Sequence, residues 1–294
     1  MTGPSGSGKS RSAHEPRHSG VSLFRPGQTI PRPPVTVGQT TGTDIVLSHL
    51  MLPLVTPSRV WESLSPVTLD AQLLAGNGLF THSKNSPAAA AFDMLRTRIL
   101  QALQQRGWKR VAVTSPTHGC GKSFVAANLA LSLARMSESK TVLMDLELRN
   151  PGLADLLGVE HVGAIRDFLT GDQPLESHFR RVGRNLALAL NGEPATDAAE
   201  LLHAGTTTEA LEMMLEQLDP DVAIYDMPPA LGSDDVTMML PQVDAVLLVA
   251  DGTQTTAEDI RACERLFEGR IPLMGVVLNR SQDRKQDRYR YGKK

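Results

Sequence analysis

Five consecutive residues, Gly119, Cys120, Gly121, Lys122 and Ser123, have the types and order that hold a phosphate chain. Glycines let backbone N–H groups curl around phosphate oxygens, Lys122 can reach the outer phosphates, and the Ser123 hydroxyl can ligate Mg²⁺. Two other segments end in acids. In TVLMDLELRNP (141–151), Asp145, Glu147 and Arg149 alternate, so extended geometry projects all three to one face. Asp145 or Glu147 could orient or deprotonate a hydroxyl nucleophile or bind metal, and Arg149 could pair with phosphate or with an acid. Asp226 closes the apolar run Val222 to Tyr225, and a carboxylate there can hold Mg²⁺ and its waters beside the phosphates.

These residues need elements that position them. The run Arg110–Thr114 reads as a strand entering the glycine turn, and an apolar helical stretch follows from Lys122 to Met136; strand, loop and helix in that order make a P-loop. Further strands are predicted at 141–145, 186–190, 222–226, 245–250 and 273–278, and helices at 88–105, 208–218 and 256–268. Apolar strands alternating with amphipathic helices imply an α/β protein, a three-layer P-loop NTPase with a mostly parallel sheet flanked by flexible tails. Ligands of such sheets sit at the carboxyl ends of the strands, where all three motifs end. A second string, GPSGSGKS at 3–10, matches the loop consensus better, but only Met1 and Thr2 precede it and no apolar period follows. It lacks both strand and helix and is set aside.

Of the 294 residues, 41% are hydrophobic, enough for one α/β core. Residues 1–42 hold seven Gly, six Pro, six Ser and five Thr, with five Lys/Arg against one acid, a composition that cannot offset the entropy of ordering. Residues 43–86 are intermediate in composition and could hold a docking segment or a partly folded adaptor; 1–86 as a whole are expected to be largely disordered, 87–282 to form the domain, and 283–294 to be a basic tail. The apolar stretch Ile45 to Val55 is too short to cross a bilayer. The net charge of −2 hides an asymmetry: residues 43–279 carry 18 basic and 29 acidic side chains, and 280–294 seven basic and two acidic. Basic ends suit anionic lipid, nucleic acid or an acidic patch on a partner, or simply keep the ends solvated; of these partners nucleic acid is the least expected. Two cysteines make no disulfide framework and no signal peptide is evident, which points to a cytoplasmic protein. Cys263 reads as a core residue. Cys120, beside Lys122 and a helix N-terminus, is placed where a thiolate would be stabilised and the loop made sensitive to oxidation.

The trio GCGKS, VLMDLELRNP and YDMPP resembles the Walker A, A′ and B motifs of bacterial tyrosine kinases, within the MinD/ParA-like P-loop ATPases. The resemblance covers about residues 88–282 and extends to FDMLRTRI, LALNGEPATDAAELL, VDAVLLVADGTQTT and GVVLN. It implies transfer of the ATP γ-phosphoryl group to tyrosines near the C-terminus, in trans within a ring of subunits, in the control of capsule or exopolysaccharide production. Nucleotide would be held by Gly119, Cys120, Gly121, Lys122, Ser123 and Phe124, with Asn279 at the base. Mg²⁺ would be held by Ser123, Asp145 and Asp226, with Lys122, Asp145, Glu147 and Asp226 catalytic and Tyr289 and Tyr291 as phosphoacceptors. A membrane-bound polysaccharide co-polymerase would be the activator, recruiting the chain to the inner face of the membrane. The chain departs from the family where the ring-forming E-x-x-R-x-x-R motif falls on Ala90, Asp93 and Arg96, where Glu147 replaces Asp, and where the tyrosine cluster shrinks to two. Thr117 stands where the MinD/ParA signature has its lysine, which favours the kinase branch. An ATPase switch and a nucleotide-binding scaffold without transfer are the competing readings.

Overall fold

The strands that carry the three motifs have the expected bounds in the computed structural model, which describes residues 56–80 and 86–281. In chain order the described elements are α1 (Pro57–Ser63), β1 (Ser65–Pro66), α2 (Ala71–Gly76), α3 (Pro87–Arg106), β2 (Arg110–Thr114), α4 (Lys122–Ala134), β3 (Thr141–Asp145), α5 (Leu153–Leu157), α6 (Ile165–Leu169) and α7 (Leu175–His178). They continue as β4 (Arg180–Val182), β5 (Leu186–Ala189), α8 (Ala198–His203), α9 (Gly205–Leu218), β6 (Val222–Asp226), α10 (Asp235–Met239), β7 (Ala245–Asp251), α11 (Ala257–Phe267) and β8 (Leu273–Asn279). All of them fall in one compact unit.

The strands form one eight-stranded sheet in the order β1-β4-β5-β3-β6-β2-β7-β8. The six from β5 to β8 run parallel, and β4 reverses direction against β5. Parallel strands are buried on both faces and read as continuous apolar runs; β3, β5, β6 and β7 are buried at every position. Alternate residues divide between two cores. Val142 and Met144 join Trp61, Phe168, Met214 and Phe267 on one face. Leu143 joins Ile99, Leu103, Leu129 and Leu157 on the other. The result is the expected three layers.

Local signals set the helix ends. Pro87 opens α3, where its missing N–H costs nothing, and Gly107 closes it at φ 67°. Thr256 and Asp259 form a reciprocal capping box at the start of α11.

Domain boundaries differ from the expectation at one place. Residues 56–80, placed with the disordered arm by composition, are part of the folded unit: Trp61, Leu64, Leu74 and Leu79 are buried, and Trp61 Nε1 donates to Leu218 O on α9 at 2.6 Å. Short polar stretches around Trp61 mask a segment that gains its stability from packing on α9. Residues 1–55, including the set-aside GPSGSGKS string and Ile45 to Val55, and the tail with Tyr289 and Tyr291 lie outside the described residues. Among the described residues no helix is long and apolar enough to cross a membrane.

Candidate nucleotide and phosphoryl-transfer site

The glycine loop leaves β2 and enters α4 through two residues with left-handed backbone, Gly119 at φ 79° and Gly121 at φ 86°. Such angles are strained for residues with a Cβ. A Cβ on Gly121 would also sit 2.2 Å from Asn279 Nδ2. The loop after β6 is bound to this one: Met227 N donates to Val113 O at 2.9 Å, Ala230 N to Ser115 O at 2.8 Å, and Thr114 Oγ1 to Pro228 O at 2.6 Å. Pro116 stands where the consensus has its first glycine, and the backbone bend is kept.

Parallel pairing of β3 with β6 sets Asp145 directly beside Asp226. Both are fully buried. Asp145 accepts from Glu147 N at 3.2 Å, Gly152 N at 3.2 Å and Leu153 N at 3.1 Å. Burial, with the Asp226 charge adding to it, nevertheless pushes its carboxyl up to about 8. Asp226 is pushed up to about 6 by burial, against the pull of Lys122 and of the Ser123 hydroxyl beside it. Neither Asp226 oxygen has a well-formed hydrogen bond. Two adjacent buried acids of this kind titrate as a unit.

Lys122 crosses to this cluster: Nζ lies 2.9 Å from Glu147 Oε2, with both side chains largely buried. Burial works against its charge, yet Asp226, Glu147 and Asp145 together hold its pKa above the ordinary value. Glu147 Oε1 has no partner. The alternation in TVLMDLELRNP places Asp145 and Glu147 at the site and sends Leu146 and Leu148 into the core. Arg149 does not face the phosphate loop; it forms a two-pronged pair with Asp235 at 2.8 and 3.0 Å and donates to Thr196 O. Of the two roles open to it, it takes the acid.

The remaining candidates fall around the loop. The Phe124 ring packs edge-on to Phe92 and under Gly78, which leaves its backbone N–H as the group that can meet a ligand. Asn279 Nδ2 donates to Cys120 O at 2.9 Å. The Cys120 thiol is 2% exposed; burial raises its pKa, but the Thr117 and Thr255 hydroxyls beside it bring it below the ordinary value. Cys263 is a buried core residue, as expected, and Tyr225 is fully buried. Asp251 and Arg280, which meet the loop from the ends of β7 and β8, were not singled out; Asp251 closes an apolar run just as Asp226 does, and that pattern was the available signal.

The residues fit Mg²⁺-nucleotide. Unpartnered, buried Asp226 oxygens call for a cation, and the two left-handed glycines at a helix N-terminus suit an anion. Among the described residues no three His, Cys, Asp or Glu side chains form a metal cage; Mg²⁺ on phosphates needs only one or two protein oxygens, which Ser123 and Asp226 can give.

The single position kept from the ring motif is used within the chain. Arg96 donates to Ser132 O at 2.9 Å and lies 3.3 Å from Asp93, which also pairs with Arg135, so α3 is clamped to α4.

A family model described as ParA, NUBPL iron-transfer P-loop NTPase, matches residues 108–289. The tyrosine-protein kinase EpsB of Ralstonia nicotianae, named as putative, is 29% identical over 235 residues, 76% of this chain and 31% of that protein. The VpsO kinase domain is 31% identical with a TM-score of 0.58, covering 66% of this chain and 94% of that one. The kinase domain of Escherichia coli tyrosine kinase ETK is 25% identical with a TM-score of 0.65, covering 77% and 87%. The chain spans under a third of the length of the first curated relatives it matches. With a family model matched over residues 108–289 and a kinase-domain structure 31% identical over 94% of its length, the chain belongs to the ParA-type P-loop NTPases and, within them, to the bacterial tyrosine kinases.

Proposed function

We propose that the chain is an ATP-dependent tyrosine autokinase that regulates synthesis or export of an exopolysaccharide or capsule. The observation that carries this is the buried pair Asp145 and Asp226 at adjacent strand ends, with Lys122 and Ser123 against it. Bound ATP with Mg²⁺ supplies the phosphoryl group and neutralises its charge. Lys122 exchanges Glu147 for phosphate oxygens. Ser123 and Asp226 would hold the metal. Asp145, at the strand end beside Asp226, would in its ionised form be placed to accept the proton of a tyrosine hydroxyl. Glu147, released from Lys122, is the second acid beside the acceptor. Tyr289 and Tyr291 are the acceptors, delivered from a second copy of the chain, and a membrane-bound co-polymerase is the activator that brings the chain to the membrane.

The test is incubation of the full chain with γ-labelled ATP and Mg²⁺, with and without Asp145→Asn, followed by mass spectrometry of the peptide holding Tyr289 and Tyr291. Label on those tyrosines, lost in the variant, is expected. Phosphate released to water with no labelled tyrosine would replace the kinase with an ATPase switch, and binding without either product would leave a scaffold.

A further inference from the structure

Two carbonyl oxygens of the phosphate loop are held from outside by consecutive residues at the end of β8. Asn279 Nδ2 donates to Cys120 O at 2.9 Å, and Arg280 Nη1 donates to Gly119 O at 2.8 Å. The peptides are trans, and in a planar trans peptide the C=O and N–H point in opposite directions. Holding these two oxygens toward β8 therefore turns the N–H groups of Cys120 and Gly121 the other way, into the bend of the loop. Inward N–H groups are what make such a loop bind phosphate.

Arg280 is itself fixed. The same Nη1 lies 2.5 Å from Asp251 Oδ2, and Asp251 is 1% exposed and bound by Thr253 N at 2.8 Å and Thr253 Oγ1 at 2.6 Å. The Arg280 backbone is left-handed, at φ 52°, an uncommon state for a residue with a side chain. Two glycines make room for the arrangement: a Cβ on Gly121 would collide with Asn279 Nδ2, and one on Gly252 would lie 3.2 Å from Asn279 O and 3.3 Å from Arg280 O. Chain segments 159 and 161 residues apart are thus brought into contact.

We propose that Arg280, clamped by Asp251 and seconded by Asn279, is a positioning residue that pre-sets the phosphate loop for the β-phosphate of a nucleoside di- or triphosphate. This rests on the nucleotide-binding part of the reading above and is independent of transfer to tyrosine.

The experiment is calorimetric titration of the full chain with ADP and, in competition, AMP, for wild type, Arg280→Ala and Arg280→Lys. Misdirecting a hydrogen bond to a charged phosphate is worth about tenfold in affinity. Arg280→Ala is expected to weaken ADP about tenfold and AMP less than twofold, with Arg280→Lys recovering most of the loss because an ammonium can donate to both oxygens. In the nucleotide-free chain, the Cys120 and Gly121 amides should exchange hydrogen faster in Arg280→Ala. ADP affinity within twofold of wild type in a folded Arg280→Ala would overturn the proposal, as would equal losses for ADP and AMP. If Arg280→Ala does not fold, Arg280→Met, which keeps the apolar stem and removes the donors, takes its place: tenfold weaker ADP binding with unchanged melting supports the proposal, and unchanged exchange and affinity overturn it. A wild type that binds no nucleotide would remove the reading on which it rests.

Discussion

Asp145→Asn should make the nucleotide-free protein more stable while stopping phosphoryl transfer. The carboxyl has an ordinary pKa of 3.8 and is pushed to about 8 in the fold. A pKa raised on folding means that stability is greatest below the unfolded value and falls as pH rises from about 4 toward 8, because the unfolded chain gains a favourable ionisation denied to the folded one. At pH 7 the unfolded carboxyl is about 3 units past its pKa and the folded one is still protonated, so the penalty is about 4 kcal/mol at 1.36 kcal/mol per unit. Asparagine never ionises. It does lose an acceptor oxygen: Asp145 takes N–H groups from Glu147 on one oxygen and from Gly152 and Leu153 on the other, and leaving one unmet costs about 1–3 kcal/mol. The net gain is about 2 kcal/mol, or about 4–8 °C in Tm for a domain of this size. Thermal melts of both proteins without nucleotide from pH 5 to 8 provide the assay. The two curves should converge toward pH 5 and separate toward pH 8. A variant less stable than wild type at pH 8, or a gap independent of pH, would refute the reasoning.

Lys122→Met should abolish turnover and also lower stability by about 3 kcal/mol, since it strands buried Glu147 without its partner; adding Glu147→Gln should restore the melting temperature without restoring activity. Trp61→Ala should cost about 3–5 kcal/mol in chemical denaturation, because the indole is buried and bonded to Leu218 O, and a chain starting at residue 87 should fail to give a cooperative transition. Arg96→Ala should destabilise the isolated chain by about 1–2 kcal/mol through the lost bonds to Ser132; unchanged melting together with a change in oligomer size on a sizing column would instead assign Arg96 to an interface.

The sequence alone determined the strands that carry the site and the residues at their ends. β2, β3 and β6 begin and end where the apolar runs do, because a buried parallel strand is marked by its own residues and by the turn formers that follow it. Gly119, Gly121, Lys122, Asp145 and Asp226 were legible for the same reason: the spacing within each motif is local. Tertiary structure decided the rest. That Asp145 lies beside Asp226, that Glu147 occupies Lys122, and that Arg149 turns to Asp235 depends on strand order and register, which bring together residues tens of positions apart and leave no period in the chain. Residues 56–80 are intermediate in composition, and only α9 gives Trp61 a surface to pack on. Arg280 looked like the first charge of a basic tail, and only the approach of β8 to the loop gave its guanidinium a carbonyl and a buried carboxylate to hold.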